Sequence, residues 1–491
     1  MDSSPFTAID WTLLIAFLLG TTWFGHALRG KGQDVESFFA GGRDLPWWAV
    51  SGSLIATSTS ALTFVAVPSV VFKPGGDLTF FQISIGFILG NILLAHTLLK
   101  AIYNAKYYSP YDFVEDRLGR KVANYTRLLF TIGAVLSQSV RLLSTALILS
   151  VVTGLSLQQS ILVIGLFAVV WTWMGGITTV VWTDFLQLMI FVCGSLFILA
   201  NLLFALPGGL TQILEIADDK GKLVILNLTA NPTVTYTLWV GIFGTSIFEF
   251  AQKSVDQVVT QRLYCCRSLR DAQKALYGAC FANVTVWIML AVGIGLVAFF
   301  EVNPLPAEAA AQIASEPDRI VPYYIVNHLP VGVSGLLVAS LFAAGISTLD
   351  SALSALSQTT TTNLLRTYVY PDRADRFYLK LSKGCVLFWG FALSGIALLF
   401  NSTKELGLLD MGLSVPGYVY GSILGIALLA WMRVGDLRAI LVGSVAATVS
   451  ILLLQEYGVS FFWWYPVGAV ALIAFALATL RLFPSERPLH K

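Results

Sequence analysis

Apolar residues along this chain gather in long runs separated by short polar gaps. A run of about 20 apolar residues is what a helix needs to cross the hydrocarbon of a bilayer. About thirteen such spans are predicted, at roughly 8–28, 46–72, 79–103, 123–153, 157–174, 177–206, 236–254, 275–300, 331–362, 379–400, 405–431, 437–454 and 461–483. The pattern reads as an all-α integral membrane protein with about 13 transmembrane helices.

Three of these spans are apolar but not uniformly so. In the ninth, the run from Gly335 to Thr362 fills its second half with hydroxyls and one acid. Ala344, Ser347, Thr348 and Ser351 fall at i, i+3, i+4 and i+7 and therefore form one stripe on a helix. Such a stripe has two readings. It can be a close-packing face whose hydroxyls bond back to the i−4 carbonyl, or a row of hard oxygen ligands for a cation. Asp350 lies beside the stripe and would be expensive facing lipid.

In the second span the tract Ala56 to Thr63 is dense in hydroxyls and poor in helix formers. It is either an intact helix with polar packing or an unwound turn. An unwound turn at membrane depth must line a cavity, and it frees carbonyls to hold a cation. The seventh span shows similar interruptions near Gly244-Thr245 and from Glu249 to Gln252. Each broken span leads a run of five, the pattern of an inverted repeat with its site at the midplane. The expected layout is an extra N-terminal helix and loop (1–45), repeat one (46–206), an outer loop (207–235), repeat two (236–431) and two C-terminal helices with a short tail (432–491).

Composition agrees with a membrane protein. Of 491 residues, 56% are hydrophobic and 12% charged, with a mean hydropathy of +0.76 and a net charge of +2. The charges are unevenly placed. Arg29, Lys31 and Arg43, then Lys106, Arg117, Arg120 and Lys121, then Arg262, Arg267, Arg270 and Lys274 fall in alternate loops, and later loops continue the series. This bias predicts an N-terminus outside and a C-terminus in the cytoplasm. The start lacks a basic leader region, so the first apolar run is expected to be retained. The five cysteines show no metal or disulfide spacing.

Charges predicted within membrane depth are Arg141, Asp184, Glu249, Lys253, Asp350 and Asp410, each a candidate site. Lys253, Asp410 and Asp184 can also be read as span-end groups that snorkel to the interface. Arg141 suits a carboxylate on a solute, or an internal ion pair with an acid such as Glu249. His26, His96, His328 and His490 are scattered with no nucleophile–base constellation, so an enzyme is not expected. No nucleic-acid partner is implied either; the expected partners are a small solute and the bilayer.

Four stretches carry a family resemblance that covers nearly the whole chain: ESFFAGGRDLPWWAVSGSLIATSTSALTF (36–64), WMGGITTVVWTDFLQ (173–187), DQVVTQR (256–262) and AAGISTLDSALSALS (343–357). Together they resemble the sodium/solute symporter family, carriers of sugars, proline, sialic acid and monocarboxylates. The resemblance implies a LeuT-like inverted repeat of 5+5 helices with one extra N-terminal and two extra C-terminal helices. It implies Na+ bound by the carbonyls of Ala56, Thr59 and Ala344 and the hydroxyls of Ser347 and Thr348. A second sodium would involve Asp184, Ser347 and Ser351, with Asp350 where some relatives carry a hydroxyl.

Matching solute positions are Ser58, Ser60, Thr63, Gln82, Glu249 and Gln252, beside Arg141. Ser60, Thr63 and Gln82 look more like the sialic acid carriers than the sugar carriers. The function implied is a sodium-coupled secondary active symporter of the plasma (inner) membrane. It would import a small polar organic solute (a sugar, an acidic sugar such as sialic acid, or another organic acid) by alternating access. A transporter-like membrane sensor and a sodium-conducting channel are the alternatives. The sequence runs about eight residues past its last span, so a fused signalling domain is not expected, and it shows no repeated filter motif.

Overall fold

The apolar runs fold as helices because no other open structure satisfies backbone groups in hydrocarbon. The computed structural model describes residues 6–27, 43–104, 107, 109–172, 177–371, 373–402 and 407–483. Motif residues 36–42 and 173–176, with Arg29, Lys31, Lys106 and His490, lie outside the described residues.

In chain order the main helices are α1 (Ala8–Ala27), α2 (Trp47–Ser58), α3 (Ala61–Phe72), α4 (Ile83–His96), α5 (Arg120–Thr153), α6 (Leu157–Thr172) and α7 (Ile177–Ala205). They continue with α8 (Ser246–Val255), α9 (Gln257–Tyr264), α10 (Leu269–Ala279), α11 (Ala282–Val302), α12 (Val333–Gln358), α13 (Asp375–Ser402), α14 (Leu408–Ser414), α15 (Gly417–Met432), α16 (Leu437–Glu456) and α17 (Trp464–Leu482). Among the described residues nine helical segments are long and apolar enough to cross a membrane, and the bent pair α2–α3 makes a tenth. About thirteen were expected. The difference lies in Ala8–Thr21 and Leu157–Thr172, which are shorter apolar helices, and in 236–254, which is split.

The second span is broken, as one of its two readings required. Helix α2 stops at Ser58, α3 starts at Ala61, and the two halves meet at 53°. Thr59 and Ser60 between them are extended or irregular. Both the backbone N–H and the hydroxyl of Thr59 donate back to the Ile55 carbonyl, at 2.8 and 2.7 Å. Ser and Thr compete for backbone groups in this way, which favours a stop over continuation. The carbonyl of Ala56, whose helical donor would be Ser60, takes no such bond among the described residues.

The seventh span differs from expectation. Val240–Thr245 is a wider π-helical stretch that runs into regular α8, and Glu249 to Gln252 sit inside that helix rather than at an interruption. The chain turns only at Asp256, which caps α9 by accepting from the Val258 N–H at 2.7 Å. A π-stretch satisfies its own backbone bonds, so it kinks the helix without unwinding it.

Helix α12 is the most enclosed of the crossing helices and packs on α1, α5, α6, α7 and α13. Its start is anchored by Asp10 of α1, which accepts from the Gly332 N–H at 2.7 Å and the Gly335 N–H at 3.0 Å. A carboxylate at a helix N-terminus is stabilised by the orphan N–H groups and the dipole. Gly345 lets α12 close on α5, since a Cβ there would lie 2.3 Å from the Thr145 hydroxyl oxygen. The two long stretches between crossing helices, 207–235 and 301–330, carry the short helices Gly209–Asp219, Ala307–Ser315 and Ile320–His328.

Candidate functional site

A cavity of about 140 Å³ opens where α2 breaks. Its wall brings together residues from α2, α3, α5, α8 and α12, including Ser58, Thr59, Ser60, Thr63, Arg141, Glu249, Gln252 and Thr348. Ala56, Ala344 and Ser347 do not form the wall but adjoin it through Thr59 and Thr348. The broken helix and the serine-rich helix therefore both reach one cavity, whose wall mixes these polar groups with apolar ones such as Leu62, Phe87 and Phe248.

On α12 the two readings of the stripe turn out to be compatible. Thr348 donates to the Ala344 carbonyl at 2.9 Å and Ser351 to the Ser347 carbonyl at 3.1 Å. A hydroxyl that spends its single hydrogen on the i−4 carbonyl turns its lone pairs outward, which is what a cation requires. Ser60 presents the opposite case: its hydroxyl is buried with no partner among the described residues. A buried orphan hydroxyl costs about 1–3 kcal/mol unless something pairs with it.

Arg141 reaches the break from α5. Its Nη1 donates to the Thr57 carbonyl at 3.0 Å, one of the groups freed by the break. It does not pair with Glu249, as one reading had it. Asp256 and Tyr420 are the charged and polar groups near it, and Tyr420 donates to Asp256 at 2.9 Å. Most of the Arg141 fork faces the cavity unspent.

Glu249 is neutralised locally. Lys253, one turn on, lies 2.7 Å away, Asn91 of α4 donates to the same carboxylate oxygen at 2.9 Å, and Lys253 donates to the Asn91 carbonyl oxygen at 3.1 Å. Lys253 is thus buried in a closed triad, not snorkelling at a span end. Gly90 allows this approach: a Cβ there would lie 2.6 Å from the Cβ of Glu249. Asp410, by contrast, does sit in the first turn of α14 and accepts from the Tyr236 hydroxyl.

Gln82 is not on the cavity wall. Its amide nitrogen donates to the Thr79 and Tyr236 carbonyls at 3.3 and 3.4 Å, and its oxygen accepts from the Asn227 N–H at 3.1 Å. Its side-chain amide is thus spent on its own turn and on the chain segment that leads into the seventh span, so in this conformation it is not free for a solute.

Asp184 is also not a snorkelling group. It is buried and bonded to Ser53 at 2.6 Å, to Ser347 and to Arg262 at 3.0 Å. Arg262, read from sequence as one of a run of loop charges, is 1% exposed. Its Nε donates to Ser53 at 2.8 Å, Nη1 to the Val258 carbonyl at 2.9 Å, and Nη2 to Asp184 and to Ser351 at 2.9 Å. Burial is tolerable because the rigid fork finds a carboxylate and three further oxygens. The donor set expected for a second sodium, Asp184 with Ser347 and Ser351, is therefore shared with a guanidinium. Asp350 lies beside this cluster and is not ion-paired.

Sequence reasoning missed Asp256, Asn91, Tyr420 and the burial of Arg262. The usable signal was DQVVTQR itself: an acid and an arginine six residues apart within one of the four stretches that carry the family resemblance.

The sequence profile of the sodium:solute symporter family matches residues 38–443. The human sodium/iodide cotransporter is 29% identical over 433 residues, covering 86% of this chain and 66% of that protein's length. The chain thus spans just under two thirds of that relative. The human sodium-coupled monocarboxylate transporter 1 is 28% identical over 86% of this chain and 68% of its own. The sodium/sialic acid symporter of Proteus mirabilis is 24% identical over 100% of this chain and 98% of its own. Among solved structures, a Na+-coupled sialic acid symporter in a substrate-bound outward-open state superposes with a TM-score of 0.84 at 22% identity, covering 99% and 100% of the two chains. Mhp1, a nucleobase-cation-symport-1 family transporter, superposes with a TM-score of 0.55 at 15% identity, covering 92% and 96%.

Proposed function

Because this chain belongs to the sodium:solute symporter family, we propose that it is a secondary active symporter coupling inward sodium flow to import of a small polar organic anion. The observation that carries the reading is the cavity at the α2 break, faced by the hydroxyl stripe of α12 and by the unspent fork of Arg141.

Sodium is placed at the carbonyls of Ala56, Thr59 and Ala344 with the hydroxyls of Ser347 and Thr348. An unwound turn supplies carbonyl oxygens and the back-bonded hydroxyls supply lone pairs, a donor set that suits a hard cation. The second site at Asp184 and Ser351 is left out of this assignment, since Arg262 already provides the positive charge there. One sodium per cycle follows.

The solute is placed against Ser58, Ser60, Thr63, Arg141 and Gln252. Arg141 accounts for an anion: a planar fork with most donors unspent pairs with a carboxylate bidentately. Iodide, monocarboxylates and sialic acid, in the names of three relatives, are all anions at neutral pH. Sodium bound at the break favours the outward-open cavity, solute closes it, and inward opening releases both. The termini are placed as the charge bias requires, N-terminus outside and C-terminus in the cytoplasm.

The test is uptake of labelled sialic acid, lactate and iodide into liposomes holding the purified chain, with and without an inward sodium gradient. Sodium-dependent uptake of sialic acid or lactate is expected, and uptake of iodide alone would count against an organic anion. Sodium-independent uptake, unchanged by Ser347→Ala with Thr348→Ala, would count decisively against it.

A further inference from the structure

Gln138 of α5 stands on the cavity wall with its amide unused. Among the described residues that amide makes no hydrogen bond to protein, and its oxygen is buried. Gln252, also on the wall, is by contrast bonded to the Tyr465 hydroxyl. Native proteins pair nearly all their buried polar groups, so an amide left open at a cavity points to a partner that is not protein.

Gln138 lies three residues before Arg141, so the two share one face of α5, one turn apart. The unspent amide and the unspent fork therefore look onto the same space. On α8, Glu249 is only half used. The Lys253 ammonium and the Asn91 amide both go to its Oε1, at 2.7 and 2.9 Å, and its Oε2 takes no bond among the described residues.

The chemistry of these groups restricts what fits. Arg141 only donates, Glu249 Oε2 only accepts, and the Gln138 amide does both. The carboxylate of a solute is drawn to Arg141 and repelled by Glu249. Glu249 then calls for a donor elsewhere on the same solute, and Gln138 for a group that both donates and accepts. A hydroxyl meets both demands. Iodide or an unsubstituted monocarboxylate brings a charge for Arg141 and nothing for the other two.

We propose that Gln138 is a specificity-determining residue, which with Glu249 binds hydroxyl groups of the solute. The class of cargo then rests on the anion reading given above: it is a hydroxylated carboxylic acid. Its carboxylate sits on the Arg141 fork, and a hydroxyl about one helical turn away sits on the Gln138 amide. An analogue without hydroxyls leaves the Gln138 oxygen and Glu249 Oε2 unpaired, so it is rejected rather than merely held less well.

The test is equilibrium binding of sialic acid, gluconate, propionate and glucose to the purified full chain in saturating sodium. The first two carry a carboxylate and hydroxyls, propionate only the carboxylate, glucose only the hydroxyls. The wild type is expected to bind sialic acid or gluconate at least tenfold tighter than propionate. Gln138→Met, which keeps the length and removes the amide, is expected to shrink that ratio by about tenfold. Gln138→Asn, whose amide is drawn back by one carbon, should fall between, and it decides the matter should the Met variant not fold. Because Gln138 bonds no protein group, neither variant should unfold at a lower temperature than the wild type without solute. A residue that merely packs would lower that temperature and leave the ratio alone. Propionate bound by the wild type as tightly as both hydroxylated acids, or one ratio shared by all three proteins, would overturn the Gln138 assignment and leave an anion symporter standing. Glucose bound in a Gln138-dependent way, with no acid bound, would do the reverse. Binding of none of the four sinks both.

Discussion

Two arginines reach the interior of the bundle near the same helices, and they are held differently. Arg262 has Nε, Nη1 and Nη2 all engaged, with a carboxylate at 3.0 Å and two serines and a carbonyl around it. Among the described residues Arg141 makes one hydrogen bond, to a carbonyl that only exists as a free acceptor because α2 stops there. A saturated guanidinium is a structural cation; an unsaturated one at a cavity wall is poised to bind. Burial points the same way, with Arg262 buried and Arg141 half-buried, but it does not say which of them can take a ligand. The number of donors spent does.

The largest effect that tests this contrast is removal of the saturated one. Arg262→Ala should destabilise the fold by about 3–5 kcal/mol, because Asp184 is left as an uncompensated buried charge. Its thermal unfolding midpoint in detergent should drop accordingly. Replacing both partners by apolar residues of similar size, Arg262→Met with Asp184→Leu, should restore most of that loss. A midpoint near wild type for Arg262→Ala would mean that the pair is not what holds α9 against α2, α7 and α12.

Arg141→Gln should leave the unfolding midpoint within about 1 kcal/mol of wild type while weakening solute binding by about 1.5–3 kcal/mol, the worth of a hydrogen bond to a charged group. In affinity that is roughly 10- to 150-fold. Equal stability loss in Arg141→Gln and Arg262→Ala would erase the distinction. Next in size, Ser347→Ala with Thr348→Ala should raise the sodium concentration for half-maximal uptake by about tenfold, two ligand oxygens at roughly 0.7 kcal/mol each.

The smallest effect concerns Gln82. Two of its three hydrogen bonds hold Asn227 and Tyr236, and the third goes to the Thr79 carbonyl of its own turn. Gln82→Ala should cost about 1 kcal/mol locally, read as faster hydrogen exchange at the Asn227 amide with solute affinity changed less than in Arg141→Gln. A loss of affinity as large as that of Arg141→Gln would return Gln82 to the solute site in another conformation.

The residues themselves decided where the chain crosses hydrocarbon, where the second span breaks and which face of α12 carries hydroxyls. Each of these is a local property: a run of apolar residues, a tract of Ser and Thr that stops a helix, a spacing of three and four. The seventh span was less legible, because Gly244-Thr245 and Glu249 to Gln252 look equally weak in sequence. Only packing of α8 through Asn91 and Lys253 shows the second stretch to be regular helix. Charge pairing was not legible at all. Arg262 meets Asp184 across 78 residues and Ser53 across 209, and Gln82 meets Asn227 across 145. Periodicity reports the face a residue occupies on its own helix, but which other helix comes to that face is settled by how the bundle closes. So the tertiary structure alone chose which arginine is spent and which remains open.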